Sequence, residues 1–185
     1  MDETATETTQ GAVRNITFAL LSRTADKDYA IGHAWIEWGS LREEGRCFRG
    51  YFPDWSDVPS DLQKRLADDI DEWLAYFPSN AVPGRFERDF YASELRARGR
   101  SILSKTWELH DGELRRVEER CFIPLGRDSV PDGLYSWNEN KPDEHNCSSW
   151  AISAVNHSKG NPSFLRCDRP KRLIHVERCF WGKNP

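Results

Sequence analysis

YSWNENKPDEHNCSSWAISAVNH, residues 135–157, decides how the chain is read, and Cys147 is its pivot. Upstream of the cysteine, Asn138, Asn140, Lys141, Pro142 and Asp143 are loop formers, whereas Trp150, Ala151, Ala154 and Val155 recur behind it at helical spacing. The pattern puts Cys147 at or just before a helix start. A helix N-terminus presents unpaired N–H groups and the positive end of the dipole, which stabilise an anion and favour the nucleophilic thiolate of a cysteine placed there. The same N–H groups can hold an oxyanion. Free cysteine is also an ordinary small core residue, so the rest of the chain must supply a partner.

Thiol catalysis needs a group that takes the sulfur's proton and later hands it to the leaving group, and imidazole suits this best. His145 is two residues before Cys147, an awkward reach, and His157 lies ten residues along the same helix, roughly 15 Å away by helical rise. His110 and His175 adjoin a turn and an expected final strand. His33 stands apart. It opens GHAWIEWG, residues 32–39, in which Ala34, Ile36 and Trp38 share one face of a strand while His33, Trp35 and Glu37 share the other. If the first set packs on the core, His33 looks out of the opposite face.

Around these two segments the chain reads as mixed α and β. RNITFALLS, residues 14–22, predicts a buried first strand, and RCFRGYF, residues 46–52, returns as a third after the turn GSLREEG. From Ser60 the period changes to helix, with Leu62, Leu66, Ile70, Trp73, Leu74 and Phe77 on one stripe, Ser60-x-x-Gln63 shaped as a capping box, and Pro78 as the stop. SNAVPG, residues 79–84, reads as a turn, and residues 85–100 as a charged stretch with a short helix in it. SILSKTWEL, residues 101–109, predicts a strand; Leu114, Val117, Cys121 and Phe122 a short helix; RLIHVERCF, residues 172–180, a closing strand. The Cys147 helix is expected to run to about Asn156 and to leave at Lys159-Gly160.

Composition bounds the rest. At 185 residues, 38% hydrophobic, 30% charged and with a net charge of -4, the chain suits one globular domain. Its arginines are scattered among carboxylates, as in RARGR and ELRRVEER, which argues against nucleic acid as a partner. No apolar run approaches the ~20 residues of a membrane span. MDETATETTQ is acidic and threonine-rich, so residues 1–12 are expected to be a disordered leader rather than a secretory signal, and residues 13–185 a single domain. Five dispersed cysteines without a CxxC pair fit a reducing compartment and call for no metal, cofactor or disulfide framework. A cytoplasmic protein, or an effector exported without a classical signal, is expected. The eight tryptophans would line a groove or fill the core.

Gly32-His33-Ala34-Trp35-Ile36, then Gly50-Tyr51-Phe52-Pro53, Val82-Pro83-Gly84, Tyr135, and Asn146-Cys147-Ser148-Ser149-Trp150-Ala151 follow one another in an order that resembles the circularly permuted papain-like cysteine hydrolases. That group includes permuted NlpC/P60 proteins of the YiiX and LRAT-like kind and the PPPDE peptidases, in which histidine precedes cysteine. The resemblance covers about residues 14–160 in motif order. It implies an α+β fold, a papain-like core with an antiparallel sheet packed on helices, and a helical insertion at about residues 53–100. It also implies Cys147 as nucleophile and His33 as base, acting on an amide or peptide bond of a peptide or peptidoglycan-peptide substrate through an acyl-enzyme. Acyl transfer or thioester cleavage of LRAT-like type, and a non-catalytic interaction module on the same fold, are the alternatives. The third group is open. Glu37 is about 13 Å along the strand from His33; a regular hairpin would put Tyr51 opposite His33 with Asp54 just beyond; a bare dyad would need neither. Asn146 is either an oxyanion or loop-fixing residue or the helix N-cap.

Overall fold

The computed structural model describes residues 14–21, 32–40, 47–68, 72, 76, 81–98, 102–136, 143–170 and 172–182. β1 (Arg14–Leu21) is apolar almost throughout because it is covered on both faces. Ile16, Phe18 and Leu20 enter one core cluster, while Ala19 and Leu21 enter a second on the other side of the sheet. β2 (His33–Ser40) and β5 (Leu103–Glu108) flank β1, and β3 (Cys47–Pro53), β4 (Val82–Arg88), β6 (Ser129–Tyr135) and the short β7 (Glu144–His145) continue the sheet. The strand order is β5-β1-β2-β3-β4-β6-β7. Six strands pair antiparallel in succession, but β6 and β7 are parallel, so the sheet is mixed rather than antiparallel throughout.

Five helices among the described residues cover this sheet: α1 (Ser60–Asp68), α2 (Phe90–Ala97), α3 (Asp111–Arg120), α4 (Cys147–Ser158) and α5 (Leu173–Trp181). The larger core lies under α3, α4 and α5, where Ala34, Ile36, Tyr51 and Phe86 meet Trp150, Ala151, Val155, Val117 and Val176. The smaller core, Ala19, Leu21 and Trp35 against Ala92 and Leu95, lies under α2 on the opposite face. The fold is α+β.

Several expected elements change. RLIHVERCF is helix α5, because Leu173, Val176 and Phe180 fall three and four apart on the side that meets the core, a period that outweighs its β-branched residues. Val82-Pro83-Gly84 is strand rather than turn: Val82, Gly84 and Phe86 are buried alternately, with a register shift between Pro83 and Arg85 where proline cannot donate to the ladder. The segment 53–100 supplies β4, an interior strand between β3 and β6. The helix expected over residues 60–77 is described from Ser60 to Asp68, and Gln63 donates to the carbonyls of Trp55 (2.7 Å) and Val58 (2.6 Å) rather than closing a capping box. Ile70, Trp73, Leu74 and Phe77 lie outside the described residues, as does the leader.

Tyr51 explains why glycine stands at position 84. Its ring stacks on Trp150 and Tyr135, both at 5.8 Å between centroids, and its hydroxyl donates to the carbonyl of Asp132 across the hydrogen of Gly84. A methyl group at 84 would overlap that hydroxyl. Gly84→Ala is expected to destabilise the fold by roughly 1–3 kcal/mol through overpacking, read as a lower midpoint in chemical denaturation.

Candidate active site

α4 begins at Cys147 because Asn146 caps it. The Asn146 side-chain oxygen accepts from the amides of Ser148 and Ser149, each at 3.1 Å, and Ser149 Oγ accepts from the Asn146 amide at 3.0 Å. Trp150, Ala151, Ala154 and Val155 then run along the buried face, as their spacing required, and Gly160 takes the left-handed conformation (φ 61°) just past the helix end. Asn146 is thus the cap, with its carbonyl-type oxygen turned into the helix rather than toward a substrate. The second and third amides of the helix are occupied by it, which leaves the first, the Cys147 N–H, as the helix-start donor for an oxyanion.

His33 is the first residue of β2, preceded by Gly32 at φ 76°, a conformation that favours glycine. Its ring therefore stands at the end of the sheet and not over its middle. α4 packs against β2 from the larger core and brings the Cys147 side chain near enough to the His33 imidazole to help raise its pKa. On its other side, His33 Nε2 lies 2.7 Å from Asp89 Oδ2. An ionised carboxylate only accepts, so Nε2 donates to it and Nδ1 is the nitrogen left for the sulfur. The two segments that lie 114 residues apart in sequence meet as the early strand and the late helix were expected to.

Asp89 is the residue that sequence reasoning missed. It sits between β4 and α2 and serves both: Oδ1 accepts the Ala92 amide at 2.7 Å as the cap of α2, and its own amide donates to Phe48 O at 3.2 Å. The carboxylate is 2% exposed, so it is a buried charge with every partner in place. Gly50 makes the room, because a β-carbon there would run into Asp89 Oδ2 and the Phe52 ring. An aspartate ahead of Ala92 and Leu95 at helical spacing is a cap signal in the sequence; its meeting with His33, 56 residues away, is not.

Tyr51 and Asp54, the expected orienters, do not reach the imidazole. Trp35 pairs with Gly50, and the same register two residues on brings Phe52 beside His33, with ring centroids 5.2 Å apart. Tyr51 is one residue out of step and so points to the opposite face of the sheet, into the larger core. Asp54 caps the short 3-10 turn Trp55–Asp57 by accepting from the Ser56 amide at 3.0 Å, a bond that holds its carboxyl below the usual range. Glu37 is buried and ties α2 to β2: its Oε1 accepts from Trp35 Nε1 and Arg96 Nε, both at 2.8 Å. Trp35 in turn stacks on the His33 ring at 5.6 Å.

Burial by itself would lower the His33 pKa, but the Asp89 charge and hydrogen bond, helped by the Cys147 sulfur, push it from the ordinary 6.5 up to about 10. At neutral pH His33 is accordingly imidazolium. Burial acts the other way on two further thiols: Cys121 is pushed up to about 12, and so is Cys167, with the neighbouring Cys179 adding to the effect. A cavity of about 730 Å³ lies along Ser149, Ile152, Ser153 and Asn156, the face of α4 turned away from Cys147. Among the described residues, no group of three histidine, cysteine or acidic side chains is placed to hold a metal ion, and no helix is long and apolar enough to cross a membrane.

Comparison of the chain with protein-family models, with curated proteins and with solved structures finds no match.

A histidine whose pKa rises on folding stabilises the folded chain fully below pH 6.5, and this contribution is lost as pH rises through about 10. Asp89→Asn keeps a capping oxygen but removes the charge. The stability difference between the native chain and this variant should be on the order of 3 kcal/mol at pH 6 and shrink steadily toward pH 10, measured by denaturant titration at both pH values.

Proposed function

We propose that this protein is a cysteine hydrolase that cleaves an amide or peptide bond, on a core organised like that of the circularly permuted papain-like hydrolases. The observation that carries the reading is the His33 imidazole bonded to the Asp89 carboxylate on a strand against which the helix opened by Cys147 packs. Three groups from three elements converge in the order nucleophile, acid–base and orienter. The match in motif order, with histidine on an early strand and cysteine opening a late helix, supports the same assignment.

In the first half-reaction the Cys147 thiolate attacks the carbonyl carbon, the C–S bond forms, and the carbonyl electron pair moves to oxygen as an oxyanion. The Cys147 N–H at the start of α4 stabilises it. As the oxyanion collapses, the C–N bond breaks and the leaving nitrogen takes the Nδ1 proton of His33. Neutral His33 then removes a proton from water, the hydroxide attacks the acyl-enzyme, and thiolate departs, restoring the ion pair. Asp89 accepts from Nε2 and fixes the ring so that Nδ1 faces the sulfur. Ester, thioester and acyl-transfer chemistry would use the same groups and differ in what the site admits.

Screening peptide, muropeptide and lipid-ester substrates against the native protein and Cys147→Ala tests this. The variant should remain folded and lose turnover by about a thousandfold or more; undiminished hydrolysis would remove Cys147 from the mechanism. Because His33 must carry a proton to the leaving group, kcat/KM should fall on the alkaline side as its pKa near 10 is passed. Asp89→Asn should move that alkaline limb to lower pH, whereas a purely structural role for Asp89 would lower the whole profile without shifting it.

A further inference from the structure

We propose that Phe52 and Tyr91 form an apolar subsite for the leaving group, so that the enzyme selects amides whose amine portion carries a bulky apolar side chain. This rests on the hydrolase reading above. The leaving nitrogen has to come within hydrogen-bond reach of the imidazole that protonates it. Whatever is attached to that nitrogen is therefore pressed against the walls around His33, while the acyl portion stays on the sulfur.

Those walls are aromatic. Phe52 lies 5.2 Å from the His33 ring and Tyr91 5.7 Å, one from β3 and the other from the first turn of α2. Trp35, the third ring in contact, is wholly buried and has no face to offer. Phe52 and Tyr91 are only half-buried, and Phe90, next to Tyr91, is 70% exposed. Large apolar rings left partly in water beside a reacting group gain free energy when a ligand covers them. Both are held by the same devices that hold the catalytic groups: Phe52 by its pairing with Arg85 across β3 and β4, Tyr91 by the Asp89 cap of α2. The subsite is thus set before substrate arrives.

Vinyl sulfones separate the two halves of the site without a known substrate. The Cys147 thiolate adds to the terminal vinyl carbon, and the His33 proton goes to the carbon bearing the sulfone; nothing leaves. The sulfone's substituent consequently sits on the His33 side. Alkylation of Cys147 by phenyl vinyl sulfone and by methyl vinyl sulfone, each rate divided by that reagent's rate with glutathione, should favour the phenyl reagent by roughly tenfold. Phe52→Ala and Tyr91→Ala should each pull the ratio most of the way to one, and Tyr91→Phe should keep the native ratio. If the methyl rate also collapses in the alanine variants, Tyr91→Phe and Phe52→Leu decide, since a subsite of this kind survives both. Equal normalised rates on the native protein would overturn the subsite and leave the nucleophile standing. Failure of either reagent to modify Cys147 faster than the buried Cys121 would overturn the hydrolase reading itself.

Discussion

One buried carboxylate ties the fold to its chemistry. Asp89 spends one oxygen on the first turn of α2 and the other on the His33 imidazole, each at 2.7 Å. A charge that far from water is tolerable only with its partners fixed, and here the partners are a helix start and a ring whose own position depends on Trp35, Glu37 and Arg96. The sheet corner, the α2 helix and the protonation state of His33 are consequently one arrangement. Loosening any of them would leave a charge buried without its match.

The site straddles the sheet. α4 lies on the larger core and brings Cys147 from one face, whereas α2 lies on the smaller core and brings Asp89 from the other. His33 can touch both because it is the first residue of β2, at the end of the ladder. A histidine in mid-strand would be confined to one face by the pleat and could meet only one of these partners. This placement also leaves Phe52 and Tyr91 around the ring.

Third-partner assignment turned on a one-residue difference in register. With Tyr51 opposite His33, its hydroxyl would have been the natural orienter; with Phe52 there, Tyr51 faces the other core and donates to Asp132 O. Register in a hairpin follows from the length and type of its connection rather than from strand composition. The closing segment shows the same limit for period: RLIHVERCF carries both β-branched residues and a three-and-four spacing, and packing against the core selected the helix.

What the sequence determined by itself were the local elements with a strong period or a cap. They include the strand β2, the run that makes β1, the Trp150–Val155 stripe behind Cys147, and a cysteine at a helix start with a histidine at a strand start. These follow from interactions between residues a few positions apart, which a sequence displays directly. Only tertiary structure decided that β4 runs inside the sheet, that Asp89 rather than Tyr51 or Asp54 meets the imidazole, and that Asn146 spends its side chain on capping. Those outcomes depend on strand register and on which buried charges can be matched across long sequence separations, and neither is encoded in any one stretch of the chain.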